Sequence, residues 1–208
     1  MQNFQRMSIG LNMVPLALEL ARQPELWERD TYIRDYPGGP FPDVETIFLR
    51  FPPASRSEEE RARRDEHESV WMDGAIHLPA ARPFLYALMQ QVAAERLGRV
   101  MINKLPPGGR ILPHPDTPSH AAYYDRFHYV VQGMPGVQFR CGGETINPVT
   151  GECWWFNHAL EHEVVNNSAD DRIHLIIDLR LAHWDFRGEL PTQPVAECLA
   201  AVSAGGTA

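Results

Sequence analysis

From residue 99 to residue 181 the chain breaks into short runs rich in β-branched and aromatic residues: RVMINKL, DRFHYVVQG, GVQFRCGG, CWWFN, HEVVNN and DRIHLIIDLRL. Gly, Pro, Asn and Asp punctuate them. Runs of this length are strands, and the polar punctuation is turn chemistry. Short strands following one another in this way pack as antiparallel sandwiches or barrels. Upstream the texture is helical. VPLALELARQ, residues 14–23, carries Pro15 near its start, where a helix tolerates proline. ARPFLYALMQQVAAERLG, residues 81–98, spaces Phe84, Leu85, Leu88, Val92 and Leu97 at helical intervals and closes on Gly98. That spacing predicts a helix over the whole segment, packed against a sheet. ETIFLRF, residues 45–51, reads as a strand, and YPGGPFP before it as a loop.

The expected fold class is therefore mainly β with supporting helices (α+β), around a double-stranded β-helix, that is, a jelly-roll or cupin-like core. At 208 residues the chain fits a single domain, with residues 1–98 as helical and irregular support, 99–185 as the jelly-roll core and 186–208 as a tail. The charged run SRSEEERARRDEHES, residues 55–69, has no apolar stripe and reads as a solvated helix or loop, or as a lid over a site.

A formal net charge of −8 gives no basic footprint for nucleic acid and disfavours anionic membrane surfaces. No apolar run reaches the roughly 18 residues a spanning helix needs. Cys141, Cys153 and Cys198 are odd in number and lack C-x-x-C spacing, which argues against a disulfide framework and a cysteine zinc site. A cytoplasmic protein acting on a small molecule or peptide is the expectation; the oligomeric state is not legible.

The chemistry centres on RILPHPDTPSH, residues 110–120. In an extended segment His114 and Asp116 project to the same side, as the first two ligands of a metal would. A histidine followed two places on by an acid should arise roughly once by chance here, and it occurs twice, the second time at His183-Trp184-Asp185. The second pair has no histidine after it, so it is the poorer half-site. An open-faced iron site needs one more imidazole from a distant strand, and His162 is the candidate. Among its rivals, His128 and His174 lie within strands, His158 sits four residues before His162, and His120 lies in the loop after the first pair.

Two strands repeat an Arg-x-His pattern, Arg126/His128 and Arg172/His174. On each, cation and imidazole share a face, opposite Phe127 and Tyr129 or Ile173 and Leu175. Buried arginine needs an anion, either an acid of the protein or a dicarboxylate ligand. Trp155 should face opposite to Trp154 and Phe156, with core packing as the role of all three.

In the order GGRILPHPD, DRFHYVV, GECWWFNHALEHEVVNNS and DDRIHLIIDLR, the chain from about Asn103 to Arg180 resembles the aspartyl/asparaginyl beta-hydroxylases among the iron(II)- and 2-oxoglutarate-dependent dioxygenases. The ten-residue step from His162 to Arg172 matches the spacing that family keeps between its distal ligand and its cosubstrate arginine. The resemblance implies Fe(II) held by His114, Asp116 and His162, with Arg172 on the distal carboxylate of 2-oxoglutarate. It also implies that Arg126 and His128 lie near the end that chelates iron. O2 would then be used to hydroxylate an unactivated C–H bond of an amino acid, an amino-acid-like small molecule or a peptide side chain, with release of succinate and CO2. The carboxylate at Asp116 favours a hydroxylase over a halogenase, where a small residue leaves room for halide. Two other readings stay open: a non-catalytic jelly-roll binding or sensor module, and a cupin-like metal enzyme without 2-oxoglutarate. The latter would usually add a further histidine to the metal and have no need of Arg172.

Overall fold

The computed structural model describes residues 1–53 and 58–182. Its strands are β1 (Phe4–Ser8), β2 (Glu45–Phe51), β3 (Val70–Trp71), β4 (Ala94–Leu105), β5 (Arg110–His114), β6 (Asp125–Gln132), β7 (Val137–Cys141), β8 (Glu144–Ile146), β9 (Cys153–Phe156), β10 (His162–Asn166) and β11 (Arg172–Leu181). The helices are α1 (Val14–Arg22), α2 (Glu58–Arg63), α3 (Gly74–His77), α4 (Arg82–Gln91) and α5 (Pro118–Tyr123). A seven-stranded sheet in the order β1-β9-β6-β11-β4-β2-β3 faces a four-stranded sheet in the order β5-β10-β7-β8, and the pairings are antiparallel. This is the expected jelly roll.

The larger sheet is buried on both sides. Its outer face packs under α1, α3 and α4 through Leu16, Leu20, Leu85, Leu88, Phe127 and Leu175. Its inner face meets the smaller sheet through Phe4, Phe139, Trp154, Phe156 and Val164. The alternation along CWWF divides as the pleat demands: Trp154 and Phe156 lie between the sheets, and Trp155 packs beneath the helices. Likewise Phe127 and Tyr129 enter the helix-side core while Arg126 and His128 line the interior cavity.

The helix expected over residues 81–98 is shorter than its apolar spacing suggested. It ends at Gln91, Ala93 adopts a positive φ of 49°, and β4 begins at Ala94. Val92, fully buried, is the last residue of the apolar stripe. Beyond it, pairing with Leu179–Leu181 of β11 offers the backbone a ladder that a further turn of helix could not. Leu97 therefore belongs to a strand, and Gly98 is not a helix stop. A β-carbon on Gly98 would lie 2.7 Å from the Tyr124 ring and 3.1 Å from the Asp178 carbonyl oxygen. Gly98→Ala is expected to destabilise the fold by about 1–3 kcal/mol through overpacking, read as a lower denaturant midpoint at unchanged slope.

β1 was not foreseen; it pairs with β9 and closes one edge of the larger sheet. The charged run forms α2 and a turn in its described part, and it is tied down at three points. Asp65 binds Arg96 at 2.6 Å, Glu66 accepts from Ser119 at 2.6 Å, and the His67 carbonyl accepts from Tyr124 at 2.7 Å. It thus braces α5, which follows directly on Asp116. Cys141 and Cys153 are buried and free. No helix among the described residues is long and apolar enough to cross a membrane. The pair His183 and Asp185, the 186–208 tail and Cys198 lie outside the described residues.

Candidate metal centre

His114 ends β5 and His162 begins β10, and the antiparallel register sets them directly opposite each other. Their rings lie 4.3 Å apart between centroids, and Nε2 of His114 is 4.0 Å from Oδ1 of Asp116. One ligand atom from each of His114, Asp116 and His162 falls within 4.8 Å of the others. The register shifts between His162 and Val164, where His114 and Ile111 are their partners, so one extra residue is accommodated on β5. This is a bulge beside Pro113, which has no N–H to give to a ladder. Local kinking of this kind re-aims a side chain, here the His114 ring.

Both imidazoles are locked in one orientation. Nδ1 of His114 lies 2.7 Å from the Leu112 carbonyl oxygen, and Nδ1 of His162 lies 2.9 Å from that of Leu160. A carbonyl oxygen only accepts, so each Nδ1 carries a hydrogen and each Nε2 is turned toward the site. Nε2 of His114 is buried and has no hydrogen-bond partner among the described residues. Burial, with smaller contributions from its neighbours, pulls His162 down to about 4, so its ring is neutral at physiological pH. Two imidazoles oriented through Nδ1–H donors and a nearby carboxylate are the donor set a hard-to-borderline divalent ion requires.

Asp116 is held from behind. Burial alone would push its carboxyl up, but Arg126 and His158 hold it well below the usual carboxylate range. Nη1 of Arg126 donates to Oδ2 at 2.6 Å, and Nδ1 of His158 sits 2.6 Å from the same oxygen. His158 is anchored in turn through Nε2, 2.8 Å from the Tyr124 carbonyl oxygen. Arg126 is itself fixed by Asp178, to which Nε and Nη2 donate at 2.7 and 3.0 Å, and His120 reaches Asp178 at 2.8 Å. Asp178 is fully buried, and its carboxyl too is held far below its ordinary value: burial opposes the charge, but Arg126 and His120 prevail.

Arg172 is different. It is 1% exposed, yet among the described residues its Nε and Nη1 have no hydrogen-bond partner. Its one hydrogen-bonding contact runs from Nη2 to Nδ1 of His174 at 2.9 Å, and the guanidinium lies 5.8 Å from the centre of the Phe139 ring. Burial alone pulls it down to about 9, with no carboxylate to oppose the shift. Nδ1 of His128 lies 3.3 Å from Nδ1 of His174, and Nε2 of each ring is buried and unpartnered. Burial first and Arg172 second keep both rings neutral.

His114, Asp116, His162, Arg126, His128 and Arg172 all line one cavity of about 620 Å³, within the size range of small-molecule sites. The two Arg-x-His strands thus part company: the Arg126 charge is met by acids of the protein, and the Arg172 charge is not. Asp178, His158 and His120 complete the site and were not foreseen in those roles. His158 and His120 were visible only as rivals for the metal. For Asp178, alternation along DRIHLIIDLR already placed it on the face of Arg172, six residues on.

A sequence profile of the aspartyl/asparaginyl beta-hydroxylase family matches residues 61–181, more than half of the chain. No curated protein matches in sequence. In structure the chain is similar to an oxidoreductase of the 2OG-Fe(II) oxygenase family from Burkholderia pseudomallei, with 17% identity and a TM-score of 0.54 over 90% of this chain and 89% of that one. A prolyl hydroxylase from Trichoplax adhaerens, in complex with a hypoxia inducible factor peptide fragment, gives 11% identity and a TM-score of 0.54 over 86% and 84%. A nickel complex of the non-heme monooxygenase ThoJ gives 12% identity and a TM-score of 0.51 over 97% and 93%. Identities this low establish the shared fold, and the family rests on the profile together with the residues it spans. The chain belongs to the aspartyl/asparaginyl beta-hydroxylase family.

Proposed function

We propose that this chain hydroxylates an unactivated C–H bond of an amino acid, an amino-acid-like small molecule or a peptide side chain, with conversion of 2-oxoglutarate to succinate and CO2. His114, Asp116 and His162 hold Fe(II), and Arg172 binds the distal carboxylate of 2-oxoglutarate. Arg126 and His128 line the wall near its chelating end. The observation that carries the reading is the coexistence, in one cavity, of the three convergent ligand atoms and a buried guanidinium with two unused donors.

Bound iron with 2-oxoglutarate and O2 supplies the oxidising power that no side chain has. The protein holds and orients. Leu112 and Leu160 fix the tautomers of the two imidazoles through their carbonyl oxygens. Arg126 and His158 keep Asp116 ionised and immobile, which ligand geometry depends on. Arg172 offers charge-assisted donors in a water-poor wall beside Phe139, where they are worth more than in solvent. The aromatic residues around it exclude competing water. A cupin-like enzyme without 2-oxoglutarate would leave the Arg172 charge uncompensated.

Anaerobic addition of Fe(II) and 2-oxoglutarate is expected to give the weak visible charge-transfer band of the chelate, and O2 with an accepted substrate to release succinate. His162→Ala should lose stoichiometric iron binding and that band; normal iron loading in the variant would remove His162 from the ligand set.

A further inference from the structure

The inner face of the larger sheet is ordered in rows by its register. Phe48, Met101, Ile176 and His128 stand in line across β2, β4, β11 and β6. The first three form a small apolar cluster of their own, with Ile33 and Phe51 packed against it. In the adjoining row Asp178 pairs with Arg126. The neighbouring pairs Val100 with Ile177 and Leu97 with Leu179 bring Arg99 of β4 to the other side of Asp178. The hydrogen bonds of Asp178 go to Arg126, twice, and to His120, and none goes to Arg99, which feels its charge only through space. Arg99 is left over. Among the described residues no group accepts a hydrogen bond from it, and its guanidinium lies over the Phe51 ring at 5.3 Å, in the wall of the same cavity.

The cavity thus contains two arginines with no hydrogen-bonded carboxylate among the described residues, Arg172 and Arg99, on opposite sides of the apolar row along the strand direction. Asp178, beside Arg99, is six residues beyond Arg172 on β11, roughly 20 Å at the rise of an extended strand. A five-carbon diacid running from Arg172 to the metal ligands would leave Arg99 free. The wall near Arg99 is apolar and aromatic, with Phe51, Ile33, Met101 and the exposed Tyr32 and Tyr36.

We propose that Arg99 is the specificity-determining residue for the prime substrate, and that it recognises a carboxylate on an apolar or aromatic body lying along the row between Arg99 and the metal ligands. This rests on the function proposed above, since it assigns Arg172 to the cosubstrate. The carboxylate has two sources, a free small acid or an acidic group of a peptide, and both present the same planar pair of oxygens to the guanidinium.

The test is calorimetric titration, under anaerobic conditions and saturating 2-oxoglutarate, of benzoate, phenylacetate and 3-phenylpropionate against their matched primary amides. N-acetyl-aspartyl-phenylalanine amide and its asparaginyl counterpart form the peptide arm. In at least one pair the wild-type enzyme is expected to bind the acid 10-fold or more tightly than the amide. Arg99→Gln should level that difference while leaving the iron and 2-oxoglutarate band unchanged, and Arg99→Lys should keep part of it. The arm showing the larger difference identifies the source. Discrimination retained in Arg99→Gln, probe binding displaced by 2-oxoglutarate, or no preference for acid over amide in any pair would overturn the proposal. Running the titration on metal-free Arg172→Met protein keeps the two readings apart, because the second unpaired arginine of the cavity is then absent and acid preference there tests Arg99, whereas a missing charge-transfer band in the wild type counts only against the iron and 2-oxoglutarate assignment.

Discussion

Arg172→Met is expected to make the ligand-free protein more stable and to abolish its use of 2-oxoglutarate. The side chain is 1% exposed and fully charged, and two of its donor nitrogens face nothing. Burial of an uncompensated charge is destabilising, and a hydrophobic residue of similar volume in such a place commonly gains about 1–4 kcal/mol. Methionine would keep the contact with Phe139 and remove the charge. For a chain of this size the gain should raise the midpoint of thermal unfolding by roughly 2–4 °C per kcal/mol. The cosubstrate should bind at least about 100-fold more weakly, since two hydrogen bonds to a charged group are each worth about 1.5–3 kcal/mol. Thermal unfolding without ligand and 2-oxoglutarate titration in its presence measure the two effects. A variant that melts lower, or that retains its cosubstrate affinity, would contradict the account of Arg172 as a charge kept for a ligand.

Asp178→Asn is expected to act in the opposite way. Asp178 is fully buried and joins Arg126 and His120, and removing one partner from a buried ion pair leaves the other charge stranded, at about 3–5 kcal/mol. Arg126 would then lose the anchor that holds it against Asp116, so weaker iron binding should accompany the lower unfolding midpoint. The pH dependence has a definite sign. A carboxyl whose folded value is depressed contributes stability above its unfolded value of about 3.9, and that contribution fades as pH falls below it. The wild-type advantage over Asp178→Asn should therefore be flat above about pH 5 and shrink in acid below about pH 4. An advantage that grows on acidification would show that the ion pair is not its source.

The jelly roll was legible because its strands alternate cleanly: CWWF, DRFHYVV and DRIHLIIDLR each send one set of side chains to the helices and the other to the interior. That His114, Asp116 and His162 converge was legible because His114 and Asp116 are close in sequence and few histidines compete for the third place; the structure brings all three together. The end of α4 was not, since the stripe through Leu97 fits a helix locally and only the ladder with β11 shows otherwise. Nor was the difference between the two Arg-x-His strands. Both have the same local pattern, and what separates Arg126 from Arg172 is the acid across the ladder at Asp178, a relation set by register. β1 escaped notice because its five residues pair with β9, some 150 positions away.

The pairing of His162 with His114 has a consequence for how this site tolerates change. Two donors that share a rung of an antiparallel ladder are aligned by backbone hydrogen bonds, while the cavity wall bearing Tyr32 and Tyr36 comes from a connecting segment. A one-residue slip of β10 against β5 would turn the His162 ring to the far side of the sheet. Remodelling of the Tyr32–Tyr36 connection leaves that rung untouched. Under the proposed function, preference for what is oxidised and competence to oxidise would be separable traits in this scaffold, one free to drift and the other held by the ladder.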